Sequence, residues 1–155
     1  MIKYVNTMVT FSEVPDEISL CIEISNCPCH CKNCHSSYLA QDIGTELTFN
    51  EVRKLIKKNS GISCIALMGG DAEPDKINTL ASFIINHYGS IKVAWYSGRQ
   101  ELSKEINLEN FDFIKLGPYI EELGPLNSKT TNQKFYKIEE NKLIDITNLF
   151  WKGND

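Results

Sequence analysis

The stretch ISLCIEISNCPCHCKNCHSS, residues 18–37, decides how the rest of the chain is read. Its first half, Ile18 to Ile24, is a short apolar run bounded by polar residues, the pattern of a buried strand. Its second half, Ser25 to Ser37, is polar and holds four cysteines between Cys27 and Cys34. A strand that feeds directly into a cysteine-dense loop places those thiols at a strand end, where parallel α/β sheets bind ligands.

Outward from this stretch, strands and helices alternate. Thr48 with Glu51 three residues later forms a capping-box signature, and Phe49, Val52, Leu55 and Ile56 give one apolar helical face. Ile62 to Met68 predicts a second buried strand, stopped by Gly69 and Gly70. Pro74 suits a helix's first turn, Ile77, Leu80, Phe83 and Ile84 supply its inward stripe, and Gly89 suits a left-handed cap. Ile91 to Tyr96 predicts a third strand ending at Ser97 and Gly98, followed by a short helix over Gln100 to Ile106. Phe111 to Leu116 predicts a fourth strand.

After Gly117 the periodicity breaks over a long connection, Pro118 to Gln133, and Phe135 to Ile138 with Lys142 to Ile146 reads as a closing hairpin. Alternation of this kind implies parallel β/α units. Four or five units cannot close an eight-stranded barrel of about 250 residues. The expected fold is therefore α/β, an open partial (β/α) barrel with a C-terminal hairpin, formed as a single domain over residues 1–155. Its ligand edge would carry the cysteine loop, Gly69-Gly70-Asp71, Ser97-Gly98 and Lys115-Leu116-Gly117.

Composition narrows the function. The net charge is −4 and lysines are scattered, so a phosphate-neutralising groove has no footprint and nucleic acid is not an expected partner. Met1 to Thr10 lacks the apolar stretch of a signal peptide, and no segment approaches the roughly 20 apolar residues that span a bilayer. The expected location is cytoplasmic, with no membrane partner. Six cysteines in such a chain point to metal or catalysis and away from disulfides. Cys21 and Cys64 sit inside apolar runs and read as structural thiols. Trp95 and Trp151 read as packing, and His87 as a partly exposed helix residue.

Cys27, Cys31 and Cys34 form C-x3-C-x2-C, three thiolates spaced to hold three irons of a cubane cluster while one iron stays open. Clusters that only carry electrons normally have four protein ligands, and the four-cysteine ferredoxin spacing is absent. An open iron can be chelated by the amino and carboxylate groups of S-adenosylmethionine. Two other readings stay open. One is an electron-transfer iron–sulfur protein. The other is a structural zinc site built on Cys31-x2-Cys34 with Cys27, Cys29, His30 or His35, although no second half-site occurs elsewhere.

These motifs resemble the radical S-adenosylmethionine superfamily, and within it the small glycyl-radical activases that serve anaerobic ribonucleoside-triphosphate reductases. The resemblance rests on C-x3-C-x2-C after a first strand, on Cys34-His35, on Met68-Gly69-Gly70-Asp71, and on Thr130-Thr131-Asn132-Gln133-Lys134, which is similar to the family's Ser-Asn-Gln-Arg segment. It implies a barrel of the radical S-adenosylmethionine type with a [4Fe–4S] cluster on Cys27, Cys31 and Cys34. It implies S-adenosylmethionine held by Gly69, Gly70 and Asp71 at the methionyl ammonium, Ser97 near the ribose or methionyl part, Lys115 at the carboxylate, and His35 as a wall of the adenine pocket.

The implied partners are the large subunit of anaerobic ribonucleotide reductase, as protein substrate, and a one-electron donor such as flavodoxin or ferredoxin. Activation of another glycyl-radical enzyme, of the pyruvate formate-lyase type, is the neighbouring alternative. The Pro118 to Gln133 connection is the expected rim that meets the partner. Two features depart from the family's pattern. Asn33 stands where many members carry an aromatic residue before the last cluster cysteine, and Cys29 is an additional thiol inside the loop.

Overall fold

A computed structural model of the chain describes residues 1–29 and 37–151. Its centre is a mixed eight-stranded sheet in the order β3-β1-β2-β4-β5-β6-β7-β8, with β3 and β8 at the two edges. The strands are β1 (Lys3–Thr10), β2 (Ser19–Ile24), β3 (Thr45–Glu46), β4 (Cys64–Met68), β5 (Lys92–Tyr96), β6 (Phe113–Leu116), β7 (Lys134–Glu139) and β8 (Lys142–Asp145). The four strands read from apolar runs, β2, β4, β5 and β6, pair in parallel. The C-terminal hairpin is antiparallel, and its turn places Glu140 and Asn141 at positive φ between the paired residues Glu139 and Lys142. Two left-handed residues give the turn the twist a tight hairpin needs.

β1 carries no clear sequence signal, because its side chains are mostly half-buried or exposed on both faces. It lies antiparallel to β2, so the sheet is not built of parallel units alone.

Two helices, α1 (Phe49–Lys58) and α2 (Pro74–His87), complete the first two crossovers. Their inward residues Val52, Leu55, Ile77, Leu80, Phe83 and Ile84 join Leu20, Ile22, Ile65, Leu67, Val93, Trp95 and Ile114 in one large core. The opposite face is lined by small residues, Cys21, Cys64, Ala66 and Ala94, and is filled by Val14, Phe113 and Phe135. Cys21 and Cys64 are 1% and 0% exposed, and burial raises their thiol pKa to about 11 and about 12. They pack as small hydrophobes, as thiols in apolar runs commonly do.

Local chemistry explains where the expected helices differ from those observed. Pro74 does open α2. Gly89, however, does not adopt the left-handed cap, since α2 ends at His87 with Tyr88 donating its N–H to the Ile84 carbonyl. The helix expected over Gln100 to Ile106 is a series of turns, with a short 3₁₀ turn at Leu108–Asn110. There the Ser103 hydroxyl takes the Glu105 N–H, a local bond that competes with helix. Asn78 on α2 accepts from Asn107 N and Asn110 Nδ2 at 2.8 and 3.1 Å and ties this segment down without a helix.

At α1 the capping box is half formed. Thr48 Oγ1 accepts from the Glu51 N–H at 3.1 Å, while the Glu51 carboxylate takes the Tyr4 hydroxyl at 2.7 Å. Thr48→Ala should therefore lower stability by about 1 kcal/mol, and Thr48→Ser by only a few tenths. Urea unfolding midpoints of the two variants check this, since equal losses would remove the cap from the account.

Candidate functional site

Parallel register aligns the carboxyl ends of the central strands. Glu23 pairs with Met68, Met68 with Tyr96, Tyr96 with Lys115, and Lys115 with Phe135 on β7. Residues paired across strands share a face, so these five side chains form a row on the face away from the helices. Immediately beyond the row come Ser25 to Cys27, Gly69 to Asp71, Ser97 to Arg99, and Gly117. Charges at Glu23 and Lys115, inside otherwise apolar strands, are the sequence signal that marks this row.

The cysteine loop is held at its base. Asn26 N donates to the Gln41 carbonyl at 2.9 Å and Cys27 N to the Leu39 carbonyl at 2.7 Å. Ser25 adds a bond from its hydroxyl to the Ile43 carbonyl, and the Tyr38 hydroxyl donates to the Glu23 carboxylate. Leu39 is buried, which anchors the returning stem. Cys27 and Cys29 are free, half-buried thiols. Cys31, Cys34 and His35 lie outside the described residues, so one of the three expected ligands is placed, at the start of the loop. Among the described residues no three His, Cys, Asp or Glu side chains gather as a metal site.

Gly69 and Gly70 end β4 at φ of 115° and 89°. The Gly69 N–H donates to the Tyr96 carbonyl at 3.0 Å, and its carbonyl accepts the Trp95 indole N–H at 2.7 Å. Trp95 is thus both core and positioning group for the glycine turn. Asp71 is 6% exposed and is not a helix cap, since α2 begins after Glu73. Its carboxylate instead accepts from the Ser97 hydroxyl, from Gly98 N at 2.9 Å, and from the Cys29 thiol at 3.7 Å. Burial and then the Asp71 charge raise the Cys29 pKa.

Ser97 links this group to the next strand. Its N–H donates to the Lys115 carbonyl at 2.9 Å, and its hydroxyl accepts from Arg99 N at 3.1 Å. Lys115 is 9% exposed, with its ammonium donating to the carbonyls of Ser97 and Gly117 at 3.2 and 2.8 Å. Gln133 is also buried, and its amide donates to the Gly117 carbonyl at 3.5 Å. Asn132 donates to the Pro118 carbonyl, and Leu126 packs on the small-residue face. The connection from Pro118 to Gln133 therefore lies against the row's face without regular structure.

A cavity of about 750 Å³ lies elsewhere, between Glu13, Asp16, Leu126 and Phe150, and none of the expected site residues lines it. Its connection to the row is Tyr96, whose hydroxyl donates to the Glu13 carbonyl. Burial raises the Tyr96 pKa well above that of free tyrosine and raises the Glu13 carboxyl as well.

At Gly70 the backbone comes close to the core. A Cβ there would stand 2.4 and 2.6 Å from the Ile77 Cδ1 and Cγ1 atoms, whereas a Cβ at Gly61, at φ of 90°, would meet nothing within 4 Å. Both alanine variants carry left-handed strain of about 1–2 kcal/mol, and Gly70→Ala adds an overpacking cost of about 1–3 kcal/mol. Denaturant unfolding of Gly70→Ala and Gly61→Ala reads the difference, and equal losses would contradict the tight contact.

No family model matches this chain, and neither does any curated protein or solved structure.

Proposed function

We propose that the chain is a radical S-adenosylmethionine activating enzyme that generates a glycyl radical on anaerobic ribonucleoside-triphosphate reductase. Its sheet would then be the open partial barrel of that chemistry, working in the cytoplasm with flavodoxin or ferredoxin as electron donor. The observation that carries the reading is the C-x3-C-x2-C loop leaving β2 at the same sheet edge as the Gly69-Gly70-Asp71 turn, Ser97 and the buried Lys115. No helix among the described residues is long and apolar enough to cross a membrane.

Of the three proposed donors, Cys27 lies among the described residues. Cys27 is a free thiol, and the hydrogen bonds at Asn26 and Cys27 hold both stems of its loop together. Cys27, Cys31 and Cys34 would hold a [4Fe–4S] cluster with one open iron. Held there, the cluster would supply the single electron that divides S-adenosylmethionine into methionine and a radical able to take hydrogen from a glycine.

The chain's own residues bind and orient. Gly69 and Gly70, both at positive φ, turn the backbone at the end of β4 and so set Asp71 at the sheet edge, where the turn would meet the methionyl ammonium. Asp71 adds fixed negative charge that favours the methionyl ammonium, and Lys115 adds positive charge for the carboxylate. Ser97 sits between those two groups, and His35 would flank the adenine. An open sheet edge admits a glycine-bearing loop of a protein substrate, and the docked partner would exclude water.

Anaerobic reconstitution with iron and sulfide, followed by reduction and addition of S-adenosylmethionine, should yield 5′-deoxyadenosine with wild-type protein and none with Cys31→Ala. Absence of the nucleoside from a chain with a full, reducible cluster would overturn the reading in favour of electron transfer. Stoichiometric zinc without iron would favour the structural metal site.

A further inference from the structure

We propose that Cys29 is a positioning residue, whose thiol docks on the Asp71 carboxylate and against Gly98 and so anchors the start of the cysteine loop, residues 27–29, at the ends of β4 and β5. What the anchored loop holds rests on the function proposed above, but the docking itself does not.

The contacts converge from three strand ends. The Cys29 thiol donates to Asp71 Oδ2 at 3.7 Å, the same oxygen that accepts from Gly98 N at 2.9 Å. The other oxygen, Oδ1, accepts from the Ser97 hydroxyl. A carboxylate at 6% exposure needs several donors to offset its lost hydration, and these three supply them. Removing any one leaves a buried acceptor short of a partner.

Gly98 is shaped for the thiol. A Cβ at that position would stand 2.9 Å from Cys29 Sγ and 3.3 Å from Cys29 Cβ. Real Cβ atoms essentially never stand 2.9 Å from another heavy atom, so a side chain at residue 98 would push the Cys29 thiol out of this position. Gly98 does not adopt positive φ, so backbone conformation does not require glycine there. Close approach of the thiol does.

Docking also places Cys29 in a chain of contacts that reaches Lys115. Asp71 holds Ser97 by its hydroxyl, and the Ser97 carbonyl accepts the Lys115 ammonium at 3.2 Å. Cys29 follows Cys27 closely in the chain, so docking its thiol holds the described start of the loop, residues 27–29, against Asp71 and Gly98. Cys29 is thereby a support for the start of the loop, and its thiol also hydrogen-bonds the Cys27 side chain.

The first test uses the reduced, metal-free full chain and N-ethylmaleimide, with modified peptides mapped over time. Cys27 should react about tenfold faster than Cys29, as docking that is worth one ordinary hydrogen bond would give. Asp71→Asn and Gly98→Ala should bring Cys29 up to the Cys27 rate, with the fully buried Cys21 and Cys64 staying protected as a control for folding. Equal rates for Cys27 and Cys29 in the wild-type chain would overturn the proposal.

The second test compares Cys29→Ser with Cys29→Ala after iron and sulfide reconstitution, reading the rate of iron loss to a ferrous chelator under anaerobic conditions. Serine keeps a donor of similar size and should hold iron within about twofold of wild type, whereas alanine should release it about tenfold faster. Loss of iron by both variants would make Cys29 a ligand, and retention by both would remove its positioning role. If the wild-type chain takes up no iron, the cluster reading fails and the maleimide rates alone decide the docking.

Discussion

Hydrogen-bond register between the parallel strands β2, β4, β5 and β6 governs the position of every group at the candidate site. Because Glu23, Met68, Tyr96 and Lys115 are partners across the ladder, each strand leaves the sheet at the same level. The turns that follow must then lie side by side. A slip of one residue in any strand would send its apolar set to the wrong face, and the core over α1 and α2 forbids that. The helices on one face thus set the geometry of the polar edge, and Ile77 of α2 packs against Gly70 of its glycine turn.

That edge holds two buried charges of opposite sign that do not touch directly. Asp71 is satisfied by hydroxyl, amide and thiol donors, and Lys115 by two backbone carbonyls. Ser97 joins them, its side chain on one and its carbonyl on the other. Ionised hydrogen bonds contribute about 1.5–3 kcal/mol each, while an unsatisfied buried charge costs more than that, so the arrangement holds only while complete. Networks of this kind specify one geometry, because partial versions are less stable than an apolar replacement.

Much of the scaffold was legible in the chain. The runs at Ile18, Ile62, Ile91 and Phe111 became β2, β4, β5 and β6, because central parallel strands are buried on both faces and read as continuous apolar segments. β1 was not legible, since Lys3–Thr10 has neither clean alternation nor a continuous apolar run. Gln100 to Ile106 has apolar spacing compatible with helix but lost to Ser103 and to Asn78 on another element. At the site, the glycine turn and the cysteine spacing were readable because they are local. The contacts of Asp71 with Cys29 and Ser97 were not, because they join residues 42 and 26 positions apart, and only the fold brings them together.

The stems of the cysteine loop carry the argument one step further. A chain from Cys27 to Cys34 can extend over about 25 Å, at roughly 3.5 Å per residue, far beyond what a single compact site requires. Bonds from Asn26 to Gln41 and from Cys27 to Leu39 bring the loop's base together. Part of the closure entropy is therefore met by folding of the sheet, and less is left for binding to offset. The Ser25 N–H bond to the Lys3 carbonyl of β1 and its hydroxyl bond to the Ile43 carbonyl tie that base to the β1–β3 edge. The short strand β3, only two residues long, helps keep the returning stem beside β1, and through β1 beside β2. The antiparallel edge is in this way part of the site's support, and its weak sequence signal is no measure of its weight in the structure.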